Sequence, residues 1–175
     1  MPGVTETRTL ILLRHAHAEA ARPGHRDVDR RLDDRGEAEA DGVGDFLRER
    51  GTSVDRVLCS PATRTRQTLE RLGLDAPAEF VPLLYEAGSE EILELVAATD
   101  VPTVLVVGHA PGLPGVVYDV ADPLSSVPAA AEAVADRFPP AALAVLTVPG
   151  SWEEPSSARL VGVRLPSGRQ GRFVG

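Results

Sequence analysis

The sequence predicts an α/β protein, a three-layer α/β/α sandwich around a mostly parallel central sheet. Short apolar runs of strand length alternate with segments whose apolar residues recur at helical spacing, the pattern of a sheet covered on both faces by right-handed crossovers. Two of those runs, Leu10 to Leu13 and Thr103 to Val107, each stop on polar residues that include a histidine, and open α/β sheets keep their chemistry at the carboxyl ends of strands. No internal repeat or low-complexity linker divides the 175 residues, so 1–175 is expected to be a single domain.

Met1 to Thr7 is polar and is expected to be a loosely ordered chain end. The first strand is expected over Arg8 to Leu13, its four large aliphatics being far too few for a membrane span. Ala20 to Arg31 holds Pro23, Gly24 and six charged side chains without periodicity, which predicts a loop over the strand ends with His25 exposed on it. Asp33 or Asp34 caps a helix to about Arg50, with Ala38, Val43, Phe46 and Leu47 sharing a face and Gly51 closing it, although Gly42 and Gly44 are poor helix formers.

Val54 to Cys59 has the character of a short buried strand. Ser60-Pro61 then sets a capping residue before a proline at the first helical position, and the helix continues through Arg64, Gln67, Thr68 and Leu72. A third strand is expected at Glu79 to Leu84, and Ser89 opens a helix through Ile92, Leu93 and Val96 with acidic residues in its first turn. The fourth strand, Thr103 to Val107, is rich in β-branched residues and ends on Gly108-His109-Ala110-Pro111-Gly112. Leu113 to Ala121 is expected as a helix despite Pro114 and Gly115, and Ala129 to Phe138 as a short one. Ala142 to Val148 and Arg159 to Leu165 predict an antiparallel hairpin at a sheet edge, with a solvated tail from Pro166.

Composition removes several function classes. There are 26 acidic and 18 basic residues, a net charge of -8, and every basic residue is arginine. Without lysine the chain supports neither a Walker-type phosphate loop nor Schiff-base chemistry. The acidic balance and the lack of a basic patch interleaved with aromatics argue against nucleic acid as a partner. The one cysteine, Cys59, forms no internal disulfide. With no signal-peptide pattern and no apolar run of spanning length, a soluble cytoplasmic protein without a membrane partner is expected.

Three segments deliver polar groups to one edge of the expected sheet: Arg14-His15, Ser60 to Arg64, and His109. Arginine offers a permanently charged fork of donors, and a histidine is neutral and nucleophilic near physiological pH, so a dianionic phosphate is the guest that fits. A helix opening near Ser60-Pro61 adds free backbone amides for the same anion. Cys59 does not fit a cysteine-phosphatase loop, because four residues separate it from Arg64 and six from Arg66 where five are needed; it is expected as a small buried apolar group. His17 and His15 lack the further ligands of a metal site, so no metal is expected and His17 is placed on the pocket rim. Ser60 lacks the glycine-flanked elbow of a serine nucleophile and is expected as a cap and phosphate-loop element.

These blocks resemble the histidine phosphatase superfamily, which includes phosphoglycerate mutases and acid phosphatases. The resemblance rests on Leu13-Arg14-His15-Ala16, on Ser60-Pro61-Ala62-Thr63-Arg64-Thr65-Arg66-Gln67-Thr68, on Pro82-Leu83-Leu84-Tyr85-Glu86 and on Val107-Gly108-His109-Ala110-Pro111. Arg31-Leu32 with Gly36 is similar to the family's polar turn before the first long helix, and Phe138 to Ala142 fits the approach to a late strand. Ala16 stands where the family's usual glycine follows the histidine. The short chain and the order of motifs look most like the SixA-type phosphohistidine phosphatases.

The resemblance implies a phosphoglycerate mutase-like fold and a metal-independent, cofactor-free phosphatase. In it His15 would attack phosphorus and form a phosphohistidine intermediate. Arg14 and Arg64 would hold the equatorial oxygens, His109 would supply a further donor or charge, and Glu86 would serve as general acid and then base. Ser60, Arg31 and His17 join Arg14, Arg64 and His109 as expected substrate contacts. The expected partner is a phosphorylated protein or a small phosphorylated metabolite, with phosphohistidine the first candidate. The alternatives are a small-molecule phosphomonoesterase and, from another class, a non-catalytic phospholigand-binding module. A mutase fits less well, since the short segments between motifs leave little room for insertions that exclude water.

Overall fold

Each residue of the first apolar run turns its side chain to the opposite face from its neighbour, and that alternation builds the molecule's two cores. In the computed structural model, which describes residues 6–153 and 155–175, strand β1 (Thr7–Arg14) sends Leu10 and Leu12 into one core and Ile11 and Leu13 into the other. The part of the expected loose chain end at 1–5 lies outside the described residues, and Thr7 already belongs to β1.

Helices α1 (Asp34–Glu49) and α2 (Thr63–Leu72) cover the Ile11 face through Ala40, Val43, Leu47 and Leu72. Helices α3 (Ser89–Ala97), α4 (Gly112–Val120) and α5 (Pro128–Asp136) cover the Leu10 face through Ile92, Val96, Leu113, Val116 and Ala130. The division follows the path of the chain along the sheet. From β1 the chain moves outward to β2 (Arg56–Cys59) and then to β3 (Ala78–Phe80). It then reverses to insert β4 (Thr103–Gly108) between β2 and β1. A right-handed crossover that changes direction must change face, and α3 does so.

Among the described residues the sheet has seven strands in the order β3-β2-β4-β1-β5-β6-β7, where β5 is Leu143–Pro149, β6 Arg159–Leu165 and β7 Arg172–Val174. The first four run parallel, and the last three join by antiparallel pairing, so the sheet is mixed. Strand β1 is the seam: Leu13 faces Val107 of β4 in parallel register and Leu143 of β5 in antiparallel register. The carboxyl end of β1 therefore lies between the end of one strand and the beginning of another.

Several boundaries depart from the expected ones for definable reasons. Strand β3 stops at Phe80, because Pro82 has no N–H to extend the ladder; Pro82–Tyr85 forms a 3-10 turn instead. Helix α2 begins at Thr63 rather than Pro61, since Ala62 keeps extended dihedrals. The tail from Pro166 is not wholly solvated. It forms β7, whose Phe173 lies over Gly162, where any Cβ would collide with the ring, and the expected hairpin of β5 and β6 is an inner element. Gly44 in α1 is explained by close approach, since a Cβ there would stand 2.7 Å from the Leu72 carbonyl oxygen of α2. Among the described residues no helix is long and apolar enough to cross a membrane.

Candidate active site

At the carboxyl edge of the parallel strands lies a cavity of about 310 Å3 that brings together Arg14, His15, Arg64, Glu86 and His109. Four further residues complete its lining: Asp27, Arg30, Tyr85 and Ala110.

His15 follows β1 directly and its N–H donates to the Gly108 carbonyl of β4 at 3.0 Å. Its ring Nδ1 stands 2.8 Å from the Ala16 carbonyl oxygen. A carbonyl only accepts, so Nδ1 carries the proton and the lone pair is on Nε2. Burial, opposed by that hydrogen bond and reinforced by the charges of Arg64 and Arg14, pushes the imidazole pKa down to about 3. The ring is neutral at physiological pH, as a nucleophile must be.

The backbone around His15 is held from two sides. The Ala16 N–H donates to Thr68 Oγ1 of α2 at 3.0 Å, and that hydroxyl donates to the Arg64 carbonyl at 2.7 Å. On the other side the Ala141 N–H donates to the carbonyls of both Arg14 and His15, at 3.2 and 2.9 Å, from a residue with φ of 63°. Gly36 permits the amino end of α1 to press against His17, since a Cβ there would fall 1.9 Å from the His17 carbonyl oxygen.

Arg14 donates from one terminal nitrogen to the Phe138 carbonyl at 2.9 Å. Burial and the Arg64 charge lower its pKa from 12.5. Among the described residues the Nε of Arg14 and the Nε of Arg64 are buried without a partner, as are the Arg56 Nε and one terminal nitrogen of Arg164 away from the cavity. Arg64, in the first turn of α2, is 5% exposed and points both terminal nitrogens at Asp27: one reaches the main-chain oxygen at 2.9 Å, the other the carboxylate at 3.1 Å.

His109 follows β4. Its Nε2 lies 2.8 Å from the Ser60 hydroxyl, and its ring centroid is 5.3 Å from that of His15. Burial first and Arg64 second push its pKa down to about 4, against a smaller raising effect of Asp27. Both rings are thus neutral, so of the two roles expected for His109, a further donor or a charge, its neutrality in the ligand-free protein favours the donor.

Not every expected contact lines the cavity. Ser60 is fully buried behind His109 and acts on that ring, with no opening to the cavity. Arg31 is exposed outside the cavity and Arg30 takes its place, because neighbours in an extended segment project to opposite sides. His17 is not on the rim; its Nδ1 bonds Asp33 at 2.6 Å beside the cap of α1. Cys59 is buried, and desolvation pushes its thiol up to about 12. Arg66 turns away and stacks on Phe80 at 4.0 Å. Of the residues missed by the sequence reading, Arg30 and Tyr85 adjoin residues it named. Asp27 had no signal, since its loop has no periodicity.

The family model of the histidine phosphatase superfamily (branch 1) matches residues 10–99. An uncharacterized protein of Mycobacterium tuberculosis is 42% identical over 155 residues, covering 86% of this chain and 98% of its own. The solved structure of a candidate phosphohistidine phosphatase SixA from Nakamurella multipartitia superposes with a TM-score of 0.82 at 39% identity, covering 93% of this chain and 98% of that one. The phosphohistidine phosphatase SixA of Escherichia coli is 32% identical over 103 residues, covering 54% of this chain and 64% of its own.

Proposed function

The chain belongs to the histidine phosphatase superfamily, and from that premise we propose that it is a phosphatase that hydrolyses protein phosphohistidine through a covalent intermediate on His15. One observation carries the reading: a neutral imidazole with its proton fixed on Nδ1 presents Nε2 to a cavity that two arginines make receptive to an oxyanion.

In the first step Nε2 of His15 attacks phosphorus as the bond to the leaving group breaks, and the phosphoryl group moves to the enzyme. Arg14 and Arg64 carry the charge on the equatorial oxygens, and His109, oriented by Ser60, adds a donor. In the second step water attacks the phosphohistidine, releasing inorganic phosphate and restoring the neutral ring.

The choice of phosphohistidine over a phosphate ester rests on the relatives named SixA, and the carboxyl groups offer a way to test it. Of the two that line the cavity, Asp27 is tied to Arg30, Arg64 and Tyr85, leaving the exposed Glu86 as the one able to carry a proton to a leaving group. An imidazole leaving group needs less protonation than an alkoxide. The relatives named SixA are described as phosphohistidine phosphatases.

The test is turnover of p-nitrophenyl phosphate and of a phosphohistidine-bearing protein, with EDTA present, by wild type and His15→Ala. Turnover by wild type alone is expected, and none on either substrate removes the enzyme reading. Glu86→Gln is expected to spare phosphohistidine while slowing alkyl phosphate hydrolysis about tenfold; equal losses on both would count against phosphohistidine as the substrate.

A further inference from the structure

The most buried arginine of the cavity already holds an anion that belongs to the protein. Asp27 sits on a 3-10 turn, Asp27–Asp29, in the loop over the strand ends. Its carboxylate accepts from Arg64 at 3.1 Å, from Arg30 at 2.8 Å and from the Tyr85 hydroxyl, so three cavity-lining residues from three segments meet on one side chain. Those bonds keep the carboxyl below the usual carboxylate range, the Tyr85 bond contributing most.

We propose that Asp27 is a built-in competitor for the phosphate site: it holds Arg64 while the cavity is empty, yields it to the phosphoryl group, and takes it back as inorganic phosphate leaves. This rests on the phosphatase reading above and adds to it a residue that sets how tightly product is held.

Three observations favour competition over simple anchoring. Arg64 does not depend on the Asp27 side chain for its place. Its own side chain is 6% exposed, the main-chain oxygen of Asp27 takes one terminal nitrogen, and Thr68 bonds its carbonyl. Asp27, by contrast, is half exposed, so when phosphate takes Arg64 the carboxylate keeps Arg30, Tyr85 and water and is not stranded. The charges that face the cavity are Arg14, Arg30 and Arg64 against Asp27 and Glu86, which with neutral histidines leaves one net positive charge. Removing the Asp27 charge doubles that excess at a point adjoining the guest. A site for a dianionic product gains turnover when the product is not held too firmly.

Calorimetric titration of inorganic phosphate and of tungstate into wild type, Asp27→Asn and Asp27→Ala tests this without requiring turnover. Both variants are expected to bind either anion about tenfold tighter than wild type, and inorganic phosphate should inhibit p-nitrophenyl phosphate hydrolysis more strongly by the same factor. The gain should shrink as salt rises. Unchanged or weaker binding in Asp27→Asn, or weaker binding still in Asp27→Ala, would make Asp27 an anchor for Arg64 and overturn the proposal. A wild type that binds neither anion would overturn the phosphate-site reading itself, and the competitor role with it.

Discussion

His15 and His109 terminate neighbouring parallel strands, their rings are 5.3 Å apart, and both are held neutral by burial, yet they are bonded through opposite nitrogens. His15 gives Nδ1 to a main-chain carbonyl, an obligate acceptor, which leaves a fixed lone pair on Nε2. His109 has its Nε2 against the Ser60 hydroxyl, which donates as readily as it accepts, so no single tautomer is imposed. The same signature of strand and histidine thus yields a poised nucleophile in one place and an adjustable donor in the other. What separates them is the partner of the ring, the main-chain oxygen of Ala16 for one and the Ser60 hydroxyl for the other.

The largest expected effect separates the two rings. His15→Ala should lose about 10,000-fold or more in turnover and all trapped acid-labile phosphoenzyme, whereas His109→Ala should lose about a hundredfold and still accumulate phosphoenzyme. Phosphoenzyme surviving in His15→Ala and missing from His109→Ala would reverse the assignment.

A smaller effect tests the hydroxyl. Ser60→Ala removes the partner of His109 Nε2 and should slow turnover about tenfold, the size of one positioned hydrogen bond. Nitrogen chemical shifts should show the His15 tautomer unchanged. A shift in His15 as well would mean that the hydrogen bond of one ring is coupled to that of the other.

The smallest effect concerns stability. In the unfolded chain each histidine titrates near 6.5, while in the folded protein His15 and His109 resist protonation down to about 3 and about 4. As pH falls below 6.5 the unfolded state takes up protons that the folded state refuses, so stability falls, with no such loss above 6.5. Thermal midpoints of wild type should decline between pH 6.5 and 4.5, and those of His109→Gln should decline less steeply. Parallel declines would show that the His109 ring is open to protons after all.

The strand-and-helix order of the parallel half was legible because its signals are local. Runs such as Leu10 to Leu13 and Val104 to Val107 have one periodicity that fits a buried strand, and the carboxyl ends of such strands gather at one edge by topology alone. Arg14, His15, Arg64 and His109 could be brought together on that ground. Strand β7 was not legible, because Arg172–Val174 is polar on one side and owes its place to Phe173 lying on Gly162, a contact between residues with no shared pattern. Arg30 was confused with Arg31 because a one-residue register in an extended segment decides which side chain faces inward. Asp27 escaped because a loop's conformation is set by the groups it meets, here Arg64, Arg30 and Tyr85, and not by its own composition.

The seam at β1 also bears on how the protein is made. One wall of the site is built from main chain just ahead of β5: the Phe138 carbonyl takes Arg14, and the Ala141 N–H grips the carbonyls of Arg14 and His15. During synthesis both histidines and both arginines leave the ribosome long before residues 138–142 do. A nascent chain ending near Val120 already carries every one of those four side chains, yet lacks the backbone that fixes the first two. The wall of the site around Arg14 and His15 therefore waits on residues 138–142, far along the chain from the side chains it fixes.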